Sequence, residues 1–161
     1  MATIICLLSS VVWMAGAAQA ADVLKQFELN DPAELGLTIE SDTTSDGRTV
    51  TKVTTAWPTV VNLTEVQSPN VEDATLVYSA QVRSQDLEGQ AYLEMWCHFA
   101  DGGSYFSRGF DDVLTGTTEW QTLSTKFLLE AGQRPDRITL NIVINGRGTL
   151  WASNATLSVE K

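Results

Sequence analysis

The chain has 161 residues with ten basic and twenty acidic side chains, and a formal net charge of −10 at pH 7. A surface of that sign repels polyanions, which argues against nucleic acid or an anionic membrane as partner and is compatible with neutral ligands such as glycans. With two cysteines and one histidine, there is no disulfide framework and no zinc site built on histidines.

The N-terminal run Ile4 to Ala18 is apolar but too short for a comfortable membrane span, and Ala18-Gln19-Ala20 offers a small-x-small cleavage site before Ala21. Residues 1–20 are therefore expected to be a signal peptide. No Lys or Arg precedes the run, so either the amino terminus alone supplies its positive charge or the true start lies upstream. An uncleaved anchor is the alternative. Residues 21–161 are expected to be a single exported domain at the cell surface, in the periplasm or outside, with no further segment able to cross a bilayer. All charged residues lie beyond position 20, so the net charge is unchanged by cleavage. Cys6 would leave with the signal, and Cys97 would remain alone, without an internal disulfide.

After a single helical turn expected at Asp31–Leu35, capped by Asp31 with Pro32 at its first position, the pattern is one of short strands. Runs rich in Val, Ile, Thr and aromatics alternate with Gly, Asp, Asn and Pro clusters. Strands are predicted near Gly36–Glu40, Arg48–Ala56, Val60–Val66, Ala74–Arg83, Ala91–Phe99, Tyr105–Phe110, Trp120–Leu129, Arg137–Ile144 and Thr149–Val159. Turns are predicted at Ser45-Asp46-Gly47, Ser68-Pro69-Asn70, Asp86-Leu87-Glu88-Gly89, Asp101-Gly102-Gly103 and Asn145-Gly146. Eight to nine short antiparallel strands in one domain imply an all-β fold, a β-sandwich of jelly-roll type.

Period-two alternation assigns the faces. In Ala74–Arg83, Leu76, Tyr78, Ala80 and Val82 form the apolar set, opposite Val77, Ser79, Gln81 and Arg83. In Ala91–Phe99, Ala91, Leu93, Met95, Cys97 and Phe99 face a core, so Cys97 reads as a buried, inert thiol. Tyr92, Glu94, Trp96 and His98 form the other face, where rings alternate with hydrogen-bonding groups. In Tyr105–Phe110, Phe106 and Phe110 flank Arg108 on one face, and alternation leaves open whether that face is buried or exposed. In Arg137–Ile144, Ile138, Leu140, Ile142 and Ile144 are the core set, leaving Arg137, Thr139, Asn141 and Val143 outside. If the strands share one sheet, Gln81, Arg83, Glu94, Trp96, His98, Thr139 and Asn141 share one surface.

The C-terminal segment Gly146-Arg147-Gly148-Thr149-Leu150-Trp151-Ala152-Ser153-Asn154-Ala155-Thr156-Leu157 resembles the closing strand of galactose-binding-like jelly rolls, found in carbohydrate-binding modules of secreted glycosidases. Trp120, Phe127-Leu128-Leu129, the turn at Gly132–Asp136 and Ile138-Thr139-Leu140-Asn141 fit the lead-in. The resemblance covers roughly the last seventy residues and implies the fold and non-catalytic carbohydrate binding. Where the family often has Asp-Asp, including a ligand of a structural calcium, this chain has Ser153-Asn154. Both carboxylates are lost there, and only backbone carbonyls with an Asp from elsewhere remain to build such a site. No cofactor and no metal ligand are therefore assigned.

The ligand expected is a poly- or oligosaccharide. Trp96 and Tyr92 would stack on sugar rings, while Glu94, His98, Gln81, Arg83 and Asn141 would bond hydroxyls. Trp57, before Pro58, is a second and weaker binding candidate, whereas Trp120 and Trp151 are expected to staple the sandwich. Cys97 and His98 point to opposite faces and form no dyad. Glu94 with Asp111 or Asp112 could be drawn into the paired-carboxylate scheme of glycoside hydrolysis, although acidic residues are so abundant that an accidental pairing is easy to find. Two alternatives to glycan binding stand: a protein-interaction or structural module using the same face, and a small polysaccharide-degrading enzyme. Asn62-Leu63-Thr64 and Asn154-Ala155-Thr156 are formal glycosylation sequons.

Overall fold

The computed structural model describes residues 36–160, so the expected signal segment 1–20, Cys6 and the turn at Asp31–Leu35 lie outside the described residues. Seven strands form among them: β1 (Leu37–Ser45), β2 (Arg48–Thr55), β3 (Thr59–Gln67), β4 (Ala74–His98), β5 (Ser104–Arg108), β6 (Leu114–Leu129) and β7 (Arg137–Glu160). All pairings between them are antiparallel.

The long strands β4 and β7, of 25 and 24 residues, form the spine of the fold. They pair with each other along most of their length and turn a corner together. Around it Glu88 pairs with Arg147, Gly89 with Gly146 and Gln90 with Asn145. On one side of the corner the order is β3–β7–β4–β5; on the other it is β1–β2–β7–β4–β6. One hydrogen-bonded sheet thus folds over into the two layers of a sandwich.

This corner explains a miscount. The expected eight to nine strands become seven, because Ala74–Arg83 and Ala91–Phe99 are one strand, as are Arg137–Ile144 and Thr149–Val159. The Gly-containing clusters between them, Asp86–Gly89 and Asn145-Gly146, carry the residues of a turn but serve as a paired bend. Glycine is required there by close approach: a Cβ on Gly89 would lie 2.2 Å from the carbonyl oxygen of Asn145, and one on Gly146 would lie 1.8 Å from that of Glu88. A true hairpin turn forms at Ser45-Asp46-Gly47, where Asp46 and Gly47 take φ of 52° and 73°.

Bulges also switch which residues of β4 point inward, from Leu76, Tyr78, Ala80 and Val82 before the corner to Ala91, Leu93, Met95 and Cys97 after it. These residues meet Leu123 and Leu129 of β6 and Ile138, Leu140, Ile142 and Leu150 of β7 in one contiguous core. Each such large side chain contributes about 1.5–3 kcal/mol through burial. Cys97 is fully covered, and burial pushes its thiol pKa up to about 12.

Candidate functional site

The outer face of the β3–β7–β4–β5 layer is a grid whose rows are fixed by strand register. Gln67, Arg137, His98 and Ser104 form one row across the four strands; Glu65, Thr139, Trp96 and Phe106 form the next. Asn62, Asn141, Glu94 and Arg108 follow, and then Val60, Val143 and Tyr92. Phe110, just beyond β5, closes this last row with its ring 4.8 Å from that of Tyr92.

Glu94 is the hub of the grid, although it is only 3 % exposed. One carboxylate oxygen accepts from Trp96 Nε1 at 2.7 Å and from Asn141 Nδ2 at 3.3 Å; the other accepts from Arg108 Nε at 2.7 Å. Asn141 Oδ1 in turn accepts from Asn62 Nδ2 at 3.2 Å, so a chain of polar contacts crosses all four strands. A carboxylate so deep in the protein is tolerable because it is paired and hydrogen-bonded. The bond to Glu94 raises the pKa of Arg108 from its ordinary value.

Trp96 is half-buried, and its ring is held from three sides. Glu94 accepts from its nitrogen, Phe106 leans on it at 4.9 Å and 42°, and His98 lies parallel to it at 6.3 Å and 13°. His98 is committed as well: Nδ1 hydrogen-bonds with Ser104 Oγ at 2.9 Å and Nε2 with Thr139 Oγ1 at 3.1 Å. Desolvation lowers its pKa, Arg137 lowers it further, and Glu65 opposes both. A depression of about 420 Å³ opens over this group, lined by Glu65, Trp96, His98, Ser104, Arg137 and Thr139. The face is charge-balanced within a strongly acidic protein. Glu94 is paired with Arg108 at 2.7 Å and Glu65 with Arg137 at 3.2 Å.

Five of the seven expected site residues, Tyr92, Glu94, Trp96, His98 and Asn141, share this face. Three of them do not have the expected freedom. Tyr92 is 6 % exposed beneath Phe110 and offers no open ring, while Glu94 and Asn141 are buried in the polar chain. Gln81 and Arg83 do not join them, because sharing one hydrogen-bonded sheet does not mean sharing one surface when that sheet folds over. They precede the corner of β4, pair with Ser153 and Trp151, and belong to the other layer.

There Arg83 lies over Trp151 at 4.2 Å and Trp120 at 5.5 Å, and Arg48 lies over Trp120 at 4.9 Å. Arg83 also meets Asp46 at 2.9 Å and donates to Ser45 Oγ at 2.9 Å, and Trp120 Nε1 donates to Asp46 at 3.0 Å. Trp120 and Trp151 thus clamp the β1–β2 turn onto the layer from outside. Trp57 stands in the β2–β3 connection, 37 % exposed.

Phe106, Arg108 and Phe110 complete the face and settle the ambiguity of β5. Phe106 and Phe110 are 48 % and 54 % exposed, on the side carrying Arg108. Arg108 faces Glu94, a partner that alternation along a single strand does not reveal. Glu65 and Asn62 were missed for the same reason: β3 joins the grid only through its pairing with β7.

Ser153 Oγ donates to the carbonyl of Thr49 at 3.0 Å, and Asn154 Nδ2 donates to Gln81 at 3.3 Å. Among the described residues no three His, Cys, Asp or Glu side chains are grouped to hold a metal. Of the acid pair, Glu94 is engaged by three donors, and Asp112 accepts from Ser124 Oγ at 2.8 Å. No described helix is long and apolar enough to cross a membrane.

No family model matches the chain, and no curated protein matches it in sequence. Solved structures do match in fold. A family 16 carbohydrate-binding module superposes with a TM-score of 0.51 at 12% identity, over 77% of this chain and 86% of that one. The CBM22-1 xylan-binding domain from Paenibacillus barcinonensis Xyn10C gives 0.50 at 10% identity, over 78% and 81%. The CBM22-1–GH10 modules of a Clostridium thermocellum xylanase, solved with xylohexaose, give 0.53 at 13% identity, over 78% of this chain but 24% of that one. The described chain therefore has the β-sandwich fold of the carbohydrate-binding modules.

Proposed function

We propose that the outer face of the β3–β7–β4–β5 layer binds a neutral polysaccharide without cleaving it. The observation that carries this reading is the fixed ring of Trp96 beside the exposed ring of Phe106, over a depression walled by hydroxyls, an imidazole and an ion pair. Apolar C–H faces of a pyranose stack on such rings, and Ser104, Thr139, Glu65 and Arg137 surround them with hydrogen-bonding groups. The rigid sheet supplies the preorganisation, because the ring is held before any ligand arrives. Paired charges on the face favour an uncharged ligand. The xylan-binding neighbour makes xylan the first polymer to try. In this reading residues 1–20 direct export and are removed.

Affinity electrophoresis through gels holding xylan, glucans, mannans or galactans tests the proposal. The protein should be retarded by at least one of them, and Trp96→Ala should weaken binding at least about tenfold, the effect of one lost aromatic contact. Its melting temperature should fall, because the buried carboxylate of Glu94 loses a donor. A far-UV circular dichroism spectrum matching the parent at the assay temperature is therefore needed to separate lost binding from unfolding. Unretarded migration through the whole panel would sink the reading, and a stable protein partner recovered in its place would assign the face to protein recognition.

A further inference from the structure

A second depression, of about 360 Å³, opens where the start of β5 comes beside the end of β6. Phe99, Tyr105, Phe127 and Leu128 form much of its lining, and Glu130 and Gln133 add polar atoms. Tyr105 is 60 % exposed and Leu128 67 %. Apolar surface of this kind at a sheet edge is ordinarily blunted by charge or proline. Phe106 also lines this depression and leans at 4.9 Å on Trp96, which lines the first, so a ring-to-ring contact connects the two.

A protein strand is a poor occupant for this place. From Ser107 to Gly109 the outer edge of β5 is closed by β6: Thr125 Oγ1 donates to Ser107 Oγ at 3.1 Å, and a Cβ on Gly109 would lie 2.3 Å from the carbonyl oxygen of Ser124. A strand added to β5 would find only Ser104, Tyr105 and Phe106 free to pair. A second copy of the chain would bring another −10 of charge to the contact. A sugar chain meets neither obstacle, because it needs rings for its C–H faces and scattered polar atoms for its hydroxyls.

We infer that this mouth continues the ligand site around the edge of β5. A neutral polysaccharide lying over Trp96 passes Phe106 and stacks further units on Tyr105 beside Leu128. The ligand is then a long polymer and not a short oligosaccharide or a chain end. The inference rests on the glycan reading above and adds a length requirement to it.

Calorimetric titration with xylotriose and xylohexaose, and with the matching cello-oligosaccharides, tests it. The hexasaccharide should bind about tenfold more tightly than the trisaccharide, as one added aromatic contact predicts. Tyr105→Ala and Leu128→Gln, each at an exposed side chain, should remove that increment and leave trisaccharide affinity and melting temperature unchanged. Equal affinity for the two lengths, or an increment that survives both substitutions, overturns the extension and leaves the Trp96 platform standing. Dimerisation seen by light scattering and abolished by Tyr105→Ala also overturns it, reassigning the mouth to a contact between copies. Absence of binding at either length and throughout the polysaccharide panel removes both readings together.

Discussion

A carboxylate that accepts from an indole, a guanidinium and a carboxamide has little capacity left for a ligand hydroxyl. Glu94 therefore orients the ring of Trp96 and ties Arg108 to the same layer, and in the proposed site its effect on a ligand is exerted through these two. His98 has a comparable role on the other flank, bridging Ser104 of β5 and Thr139 of β7. Its pKa is lowered from the ordinary value of 6.5, chiefly by desolvation and then by Arg137. The folded protein thus binds fewer protons at this site than the unfolded chain as pH falls through that region, so acidification lowers stability. The contribution is fully present above about pH 6.5 and is lost as pH falls through the folded value. Melting temperatures from pH 7.5 to 5 should decline, and His98→Gln should decline less. Parallel curves for the two proteins would assign the acid sensitivity to other groups.

At the scale of the element, the decisive pieces are β4 and β7. Each serves both layers, and the bend they share is set by Gly89 and Gly146, whose approach leaves no room for a side chain. Gly146→Ala should destabilise the protein by about 3 kcal/mol or more, because a methyl group would meet backbone and not a movable side chain. Denaturant unfolding measures it; a loss below about 1 kcal/mol would show that the corner relaxes more easily than its geometry implies. The same bend marks how far the sequence is legible. Alternation identified the inward sets of β4 and β7 and the outward set Tyr92, Glu94, Trp96 and His98, because each of those judgements needs only one strand. It failed where two strands had to be related. Gln81 and Arg83 went to the other layer since Gly-containing clusters look alike whether they reverse a chain or bend it. Arg108 could not be oriented since its partner Glu94 lies on a neighbouring strand.

At the scale of the whole molecule, one continuous hydrogen-bonded sheet forms both layers of the sandwich, with different chemistry on its two outer faces. The β3–β7–β4–β5 face offers open rings and paired charges. The opposite face uses its indoles to hold Arg83 and Arg48 in place. Cys97 sits between them in the core, back to back with Trp96 and His98 on the same strand. This placement makes the thiol a reporter of breathing. A reagent that modifies thiols can reach it only when the layer carrying the proposed ligand platform parts from the other, so the labelling rate counts those openings. A polysaccharide that grips the closed layer must make them rarer, by a factor of one plus its concentration divided by Kd, if the open form does not bind. Labelling slowed by that factor would link glycan occupancy to the closure of the sandwich through a sulfur atom that no sugar touches. A rate unchanged at saturating ligand would locate the opening elsewhere in the fold.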